Sequence, residues 1–458
     1  MKRLILFMLL CVFALPVLAQ DDAVSITAPT TGSDVFGTVV ITGTVNPADL
    51  QSYFLEVSVY GEAEPHWTPV TLLSATPVTA GVLAEWPTQM LSDGAYALRL
   101  HVVLRSGESL YTVVEPLNVV NANQPIPTVS AAPEIVPRPN PVNTLPVPLG
   151  GHVLYFSDDT QAAMTEMGMT WVKWQIKYQM DDTNILNVVR DRINWSHEAG
   201  LNVLLSITGE VGELTTLGDD YYPVFADFLG QVAALSPDAI EVWNEMNLDR
   251  EWPRGRISAT AYAQMLGPAY EAIKAVDPQV MVITGALAPT GFFGGCSGNG
   301  CDDGPYYQAM ASAGVADYAD CIGVHYNEGI ISPRQLGGDP RVPDYPTRYF
   351  KSMTDRAAYP FRNLDIPMCY TELGYLTPEG YGPLPGGFAW ASGTTLAEQA
   401  EWLAEAVNLA GDDSRIAMVI VWNVDFDGYE SDPQAGYAII RQDGTCPACD
   451  TIAALRSE

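Results

Sequence analysis

The 458-residue sequence predicts an α/β fold, a (β/α)8 TIM barrel preceded by a small all-β sandwich. Three observations carry this reading. Beyond Gly150, short apolar runs alternate with amphipathic stretches. From Val24 to Val120, strand-like segments alternate apolar and polar residues between Gly, Pro, Asn and Asp. Between these regions lies a stretch dense in proline.

Eight runs in the second region have the length and composition of buried strands: HVLYF from 152, WVKWQI from 171, NVLLSIT from 202, AIEVWNE from 239, VMVITGA from 280, CIGVHY from 321, MCYTELG from 368 and AMVIVWNV from 417. The segments between them, ILNVVRDRINWSHEAG among others, repeat apolar residues at three-to-four spacing and read as helices. Eight such units in roughly 300 residues match the size of a closed barrel, assigned to 149–458. The first region, 24–120, holds TVVITGTV, YFLEVSVYG and YALRLHVVL, the two-residue period of half-buried strands. Its histidines, His66 and His101, read as surface or strand residues. Residues 121–148 contain eight prolines, a density that opposes sheet and helix and predicts an extended spacer.

The first nineteen residues place Lys2 and Arg3 before an apolar run that ends in Val17-Leu18-Ala19, the pattern of a secretory signal peptide cleaved after Ala19. A lipoprotein anchored through Cys11 is the alternative. Against it, Leu10 is not small and Cys11 lies inside the apolar run. No later stretch reaches the roughly eighteen apolar residues of a membrane helix, so a secreted chain without a transmembrane segment is expected. Without Lys2 and Arg3 the balance is 20 − 54 = −34, which repels phosphate polymers and argues against nucleic acid as a partner. With 48% apolar and 17% charged residues the acidity belongs to the surface of a packed chain, not to disorder.

Six cysteines remain after signal removal. In an oxidising compartment Cys296 with Cys301, and Cys446 with Cys449, are expected as local disulfides; the rival is a zinc site of four thiolates, which the distance between the two pairs disfavours. Cys321 and Cys369 fall on expected barrel strands, as buried thiols or as a further pair.

In a barrel of this kind chemistry sits at the carboxyl ends of the strands, so ionisable residues ending strands are candidates by position. Glu245 ends the fourth run and Glu372 nearly ends the seventh. Val242-Trp243-Asn244-Glu245, followed by Asn247, together with Thr371-Glu372-Leu373-Gly374, resembles clan A of the glycoside hydrolases, over about two-thirds of the chain. The spacing and the tail GYAIIRQDG look closest to the family 39 and family 5 types. The resemblance implies a retaining O-glycosyl hydrolase with Glu245 as acid/base and Glu372 as nucleophile. Such chemistry wants one carboxyl protonated and one ionised, and the charge of Glu372 should raise the pKa of Glu245. The resemblance further implies that Asn244 holds a sugar 2-hydroxyl and that His325 and Tyr326 bond the catalytic pair. Trp422 either floors the sugar pocket or packs in the core. Residues 24–120 resemble immunoglobulin-like or fibronectin-like accessory modules, chiefly in Leu91-Ser92-Asp93-Gly94-Ala95-Tyr96 before LRLHVVL.

Lys173 and Glu241 lie on even strands and either meet inside the barrel or stand exposed. His152 and His197 read as structural or surface residues, and no histidine spacing suggests a zinc site or a Ser-His-Asp relay. The expected partner is a carbohydrate substrate, with no metal and no organic cofactor. A catalytically inactive carbohydrate-binding barrel and a surface adhesion module are the rival readings.

Overall fold

The computed structural model describes residues 23–61, 65–71, 74–88, 91–106, 108–121 and 135–457. The expected signal peptide and residues 122–134 of the expected spacer lie outside them. The chain divides into two compact units, with the boundary between Pro133 and Glu134.

In the first unit, Val24–Ala28, Thr38–Val45 and Val78–Pro87 form a three-stranded antiparallel sheet. Asp34–Val35, Ser109–Val119, Gly94–Leu104, Leu50–Val59 and Thr68–Pro69 form a five-stranded one. Leu98, Leu100, Val102 and Leu104 are buried at every second position, and they share one core with Ile41, Val45 and Trp86 of the smaller sheet. His101 has the opposite parity. Its ring bonds Ser109 Oγ at 3.0 Å and lies 3.3 Å from Glu56, a structural role.

The second unit is a ring of eight parallel strands: β1 (Leu149–His152), β2 (Trp171–Tyr178), β3 (Asn202–Gly209), β4 (Ala239–Val242), β5 (Met281–Thr284), β6 (Ile322–Tyr326), β7 (Met368–Leu373) and β8 (Ile416–Val421). Ladders join every neighbouring pair except β5 and β6, where the parallel bridges Ile283 to Cys321 and Leu287 to Val324 close the ring. Gly323 permits this closure, since a Cβ there would lie 2.2 Å from the carbonyl oxygen of Thr284. At the amino-terminal end Leu204, Ala239, Ile283, Met418 and Ile420 plug the interior. Cys321 and Cys369 belong to the same plug and are joined as a disulfide, so they are not free thiols.

Seven of the eight expected strands begin within one residue of the observed ones. The first does not: β1 is Leu-Gly-Gly-His, not HVLYF. Glycine is required there because a Cβ on Gly151 would meet Val424 at 2.2 Å and one on Gly150 would meet Trp171 at 2.6 Å. The amides of Leu154, Tyr155 and Phe156 turn instead onto the carboxylate of Asp425.

Helices surround the ring as the apolar spacing predicts. The first, α1 (Asp158–Met167), is capped by Ser157. In α2 (Ile185–Glu198), Ile185, Val189 and Ile193 bury one stripe.

The second half of the proline-rich stretch is not a free spacer. Leu145 and Val147 are buried in the barrel core, Val136 bonds Asn194 and His197, and the guanidinium of Arg138 bonds Asp277 at 2.7 Å and the carbonyl of Pro237. Proline excludes regular structure there, but the apolar and charged residues between the prolines still find partners on the barrel.

Candidate active site

The strand that leads to Glu245 stops at Val242, three residues before it. The backbone then turns sharply, with φ of 77° at Trp243 and 41° at Glu245, left-handed values that cost a side-chain-bearing residue about 1–3 kcal/mol each. Surrounding bonds hold the turn. The amide of Glu245 donates to Ala286 O at 2.8 Å, and the indole of Trp243 donates to Glu251 O at 2.7 Å. Asn247 clamps the neighbouring loop by donating to Ala288 O and Cys301 O and accepting from the amide of Ala288. The disulfide Cys296–Cys301 braces that loop.

Glu372 lies inside β7. Both carboxylates are buried, at 6% and 4% exposure. The imidazole of His325, from the end of β6, stands between them, with Nδ1 3.2 Å from Glu245 Oε1 and 3.4 Å from Glu372 Oε2. One oxygen of each glutamate and a ring nitrogen of His325 lie within 4.8 Å of one another.

Each carboxylate has a further cationic partner. Beneath Glu372, the wholly buried Lys173 places Nζ 3.3 Å from Glu372 Oε1, 3.2 Å from Glu241 Oε2 and 3.1 Å from the carbonyl of Thr371. Of the two alternatives for Lys173 and Glu241, the meeting inside the barrel is the one present, and it reaches the site. Glu241 is tied further by Thr371 Oγ1 at 2.7 Å and the amide of Ala286. Above Glu245, Arg250 from the following loop bonds Oε2 while keeping about two-thirds of its own side chain exposed.

These surroundings set the charges. Burial would raise the pKa of Glu245, but the bond and charge of His325 and the charge of Arg250 outweigh it and hold the group well below the ordinary value. Burial lifts Glu372 above its ordinary value, helped by repulsion from Glu245 and Glu241 and only partly countered by His325 and Lys173. This inverts the expectation that Glu372 raises Glu245. Arg250 and His325 reverse the order. Burial opposes charge on His325, yet the two glutamates raise its pKa. Glu251, beside Arg250, is pushed up to about 7 by burial and by the charge of Glu245.

Glu245, His325 and Glu372 also form the one cluster among the described residues able to present three metal ligands. The cations of Lys173 and Arg250 already occupy the two carboxylates, which disfavours a divalent ion there.

Asn244 reaches the same mouth and keeps its Oδ1 buried without a partner, as a group awaiting a ligand would. Trp422 follows β8, half-buried, with its ring 4.8 Å from His152 and 5.8 Å from Phe426. Tyr326 is not in the site. It alternates with His325 along β6, so its hydroxyl points outward to Arg348 O at 3.0 Å and its ring packs on Phe350 and Tyr375. Cys446 and Cys449 are joined at the start of the last helix, away from this chemistry. Sequence reasoning missed Arg250, Glu251 and Asn327, whose amide lies 3.4 Å from Glu372 Oε2. The available signal was proximity, since Arg250 and Glu251 fall within six residues of Glu245 in a strand-end loop.

No helix among the described residues is long and apolar enough to cross a membrane. No protein-family model and no curated protein matches the chain. Among solved structures it is similar to the GH53 catalytic domain of Ignisphaera aggregans, at 14% identity over 65% of this chain and 88% of that one, with a TM-score of 0.47. It is also similar to a glucosidase from Croceicoccus marinus, at 12% identity over 69% of each chain and a TM-score of 0.46. An endo-1,4-beta-mannanase from Rhizomucor miehei shows 14% identity over 68% of this chain and 94% of that one, with a TM-score of 0.44.

Proposed function

We propose that this chain is a secreted retaining glycoside hydrolase that cleaves a carbohydrate by double displacement, with Glu245 as acid/base and Glu372 as nucleophile. One observation carries the reading: two buried glutamates at the carboxyl ends of β4 and β7 whose nearest oxygens lie within 4.8 Å, bridged by a histidine. Retaining pairs stand about 5–5.5 Å apart, whereas inverting pairs leave about 6.5–9.5 Å for a water.

In the first step an oxygen of Glu372 attacks the anomeric carbon while Glu245 gives its proton to the departing oxygen, leaving a glycosyl ester. Lys173 holds Oε1 of the nucleophile from below and fixes the carboxylate plane. Ester formation removes one negative charge, and Glu245, now a base, takes a proton from the water that opens the ester. Asn244 supports the 2-hydroxyl and Trp422 the ring face. Both steps are assigned to groups of the chain itself, with no metal or organic cofactor called upon. Residues 1–19 serve as the signal peptide and the first unit as an immunoglobulin-like accessory domain.

The test uses the best substrate from a panel of aryl glycosides and polysaccharides. Glu372→Ala should lose activity by at least about four orders of magnitude with the fold retained, and azide should yield a glycosyl azide of inverted configuration. Near-normal turnover removes Glu372 from the mechanism. If no substrate on the panel is cleaved by the unaltered protein while glycans still bind, the chain is a sugar-binding barrel.

A further inference from the structure

Where β1, β2 and β8 end beside α2 lies a cavity of about 320 Å³ that contains neither Glu245 nor Glu372 and shares Trp422 with the site proposed above. Trp174, Trp422 and Phe426 give it aromatic walls, and no carboxylate lines it. A volume near 300 Å³ suits a single sugar ring.

Its polar groups have bonding capacity to spare. His152 is 2% exposed with Nδ1 unpartnered, and Oε1 of Gln434 is likewise buried without a partner. Burial, with the charges of Lys173 and His325, holds the pKa of His152 well below the ordinary histidine value. Arg192, on α2, lies 4.1 Å over the ring of Trp174 and 4.9 Å over that of Trp195. Among the described residues its guanidinium makes no ion pair and no hydrogen bond. Every other cation of the barrel unit does one or the other. Lys177 at the rim, for example, spends its charge on Glu210 at 2.6 Å.

In a chain with 54 acidic and 22 basic residues, acidic neighbours are plentiful, so a cation stacked on tryptophan beside a concave wall, with no carboxylate on its fork, needs a reason. The guanidinium fork matches a carboxylate or sulfate in two parallel bonds. The faces of Trp422 and Phe426 suit the C–H face of a pyranose, and the amide and imidazole suit its hydroxyls. We infer that this cavity is a subsite for an acidic sugar, a pyranose whose carboxylate or sulfate is received by Arg192, in a glycan cleaved at a neighbouring unit. The link to cleavage rests on the proposed hydrolase; the binding itself does not.

The experiment follows tryptophan fluorescence of the full chain carrying Glu372→Gln, titrated with three matched probes in the gluco and galacto series: the methyl glycoside, its uronate and its 6-sulfate. At least one acidic probe should bind about tenfold or more tightly than the neutral one, the increment expected of a charge-assisted bond. Adding Arg192→Met, which keeps an aliphatic cover on Trp174, should erase that preference and leave the neutral Kd within about twofold, while Arg192→Lys should keep part of it. Preference for the uronate alone, the sulfate alone or both names the group received and supports the subsite. Equal affinity for all probes, binding of none, or a preference that survives Arg192→Met overturns it. If the Glu372→Gln protein still turns over substrate while the preference holds, the mechanism falls and the subsite stands.

Discussion

Glu245 and Glu372 face one another across the same mouth and share one histidine, yet their second counter-ions differ in kind. Lys173, beneath Glu372, has no exposed surface and is fixed by Glu241 and the carbonyl of Thr371. Arg250, above Glu245, is about two-thirds exposed and comes from a loop. A buried partner cannot leave. An exposed one can. The contrast suits the two proposed duties, because a nucleophile must stay ionised and aimed, whereas an acid/base must gain and lose a proton as its surroundings change.

The strongest way to break this comparison is to remove the acid/base. Glu245→Ala should cost about 10²–10⁴-fold in kcat/KM for glycosides with sugar leaving groups, and far less for an aryl glycoside whose phenolate departs unaided. Azide should then speed turnover of the aryl substrate and give a product of unchanged anomeric configuration, in contrast to the Glu372 variant. Equal losses for good and poor leaving groups, without azide rescue, would take the acid/base role away from Glu245.

Replacing the buried cation comes next. Lys173→Met leaves Glu241 and Glu372 buried beside each other without a compensating charge, so both should bind protons more readily. Activity at neutral pH should fall by about 10²-fold because the nucleophile is mostly protonated. Stability should drop by about 3–5 kcal/mol, as for other buried pairs broken from one side. A carboxyl whose folded pKa is raised stabilises the fold only while protonated, so the stability deficit should shrink as pH falls and grow as pH rises. Chemical denaturation across pH checks this; a deficit independent of pH would mean that Lys173 matters for packing alone.

The contrast between the two counter-ions also explains what could be read in advance. The positions of Glu245 and Glu372 were legible because barrel geometry sends strand-end residues to the mouth; the same geometry left the Lys173–Glu241 meeting as one of two alternatives, and His325 came from the family resemblance. The alternation of side chains along a strand, applied to β6, would have turned Tyr326 outward; family resemblance had placed it in the site. The first strand was misplaced because Gly150 and Gly151 carry no apolar signal, although close packing demands them. Residues 135–148 read as a spacer because proline density reports the absence of regular structure, whereas the docking of Leu145, Val147 and Arg138 depends on partners far along the chain. Arg250 belongs to the same class. A loop cation has no period, and only the folded loop brings it to Glu245.

The smallest expected effect is the most discriminating. With Glu245 held below its ordinary pKa and Glu372 above, a proton taken up by the pair goes first to Glu372, the reverse of the order the first step requires. The pair titrates as a unit, so the bell-shaped kcat/KM profile has two macroscopic limbs, and its height depends on how often the proton is found on Glu245. Arg250 favours the ionised form of Glu245. Arg250→Met should therefore raise the pKa of Glu245, move the acid limb upward and increase kcat/KM at the plateau, with the alkaline limb little changed. Because Arg250 is largely exposed, solvent screens its charge and the gain should be modest, about two- to fivefold. Added salt should carry the unaltered protein part of the way toward the variant and leave the variant less affected. If the plateau instead falls and KM rises, Arg250 holds substrate and does not restrain Glu245, and the contrast between a fixed and a releasable counter-ion would have to be given up.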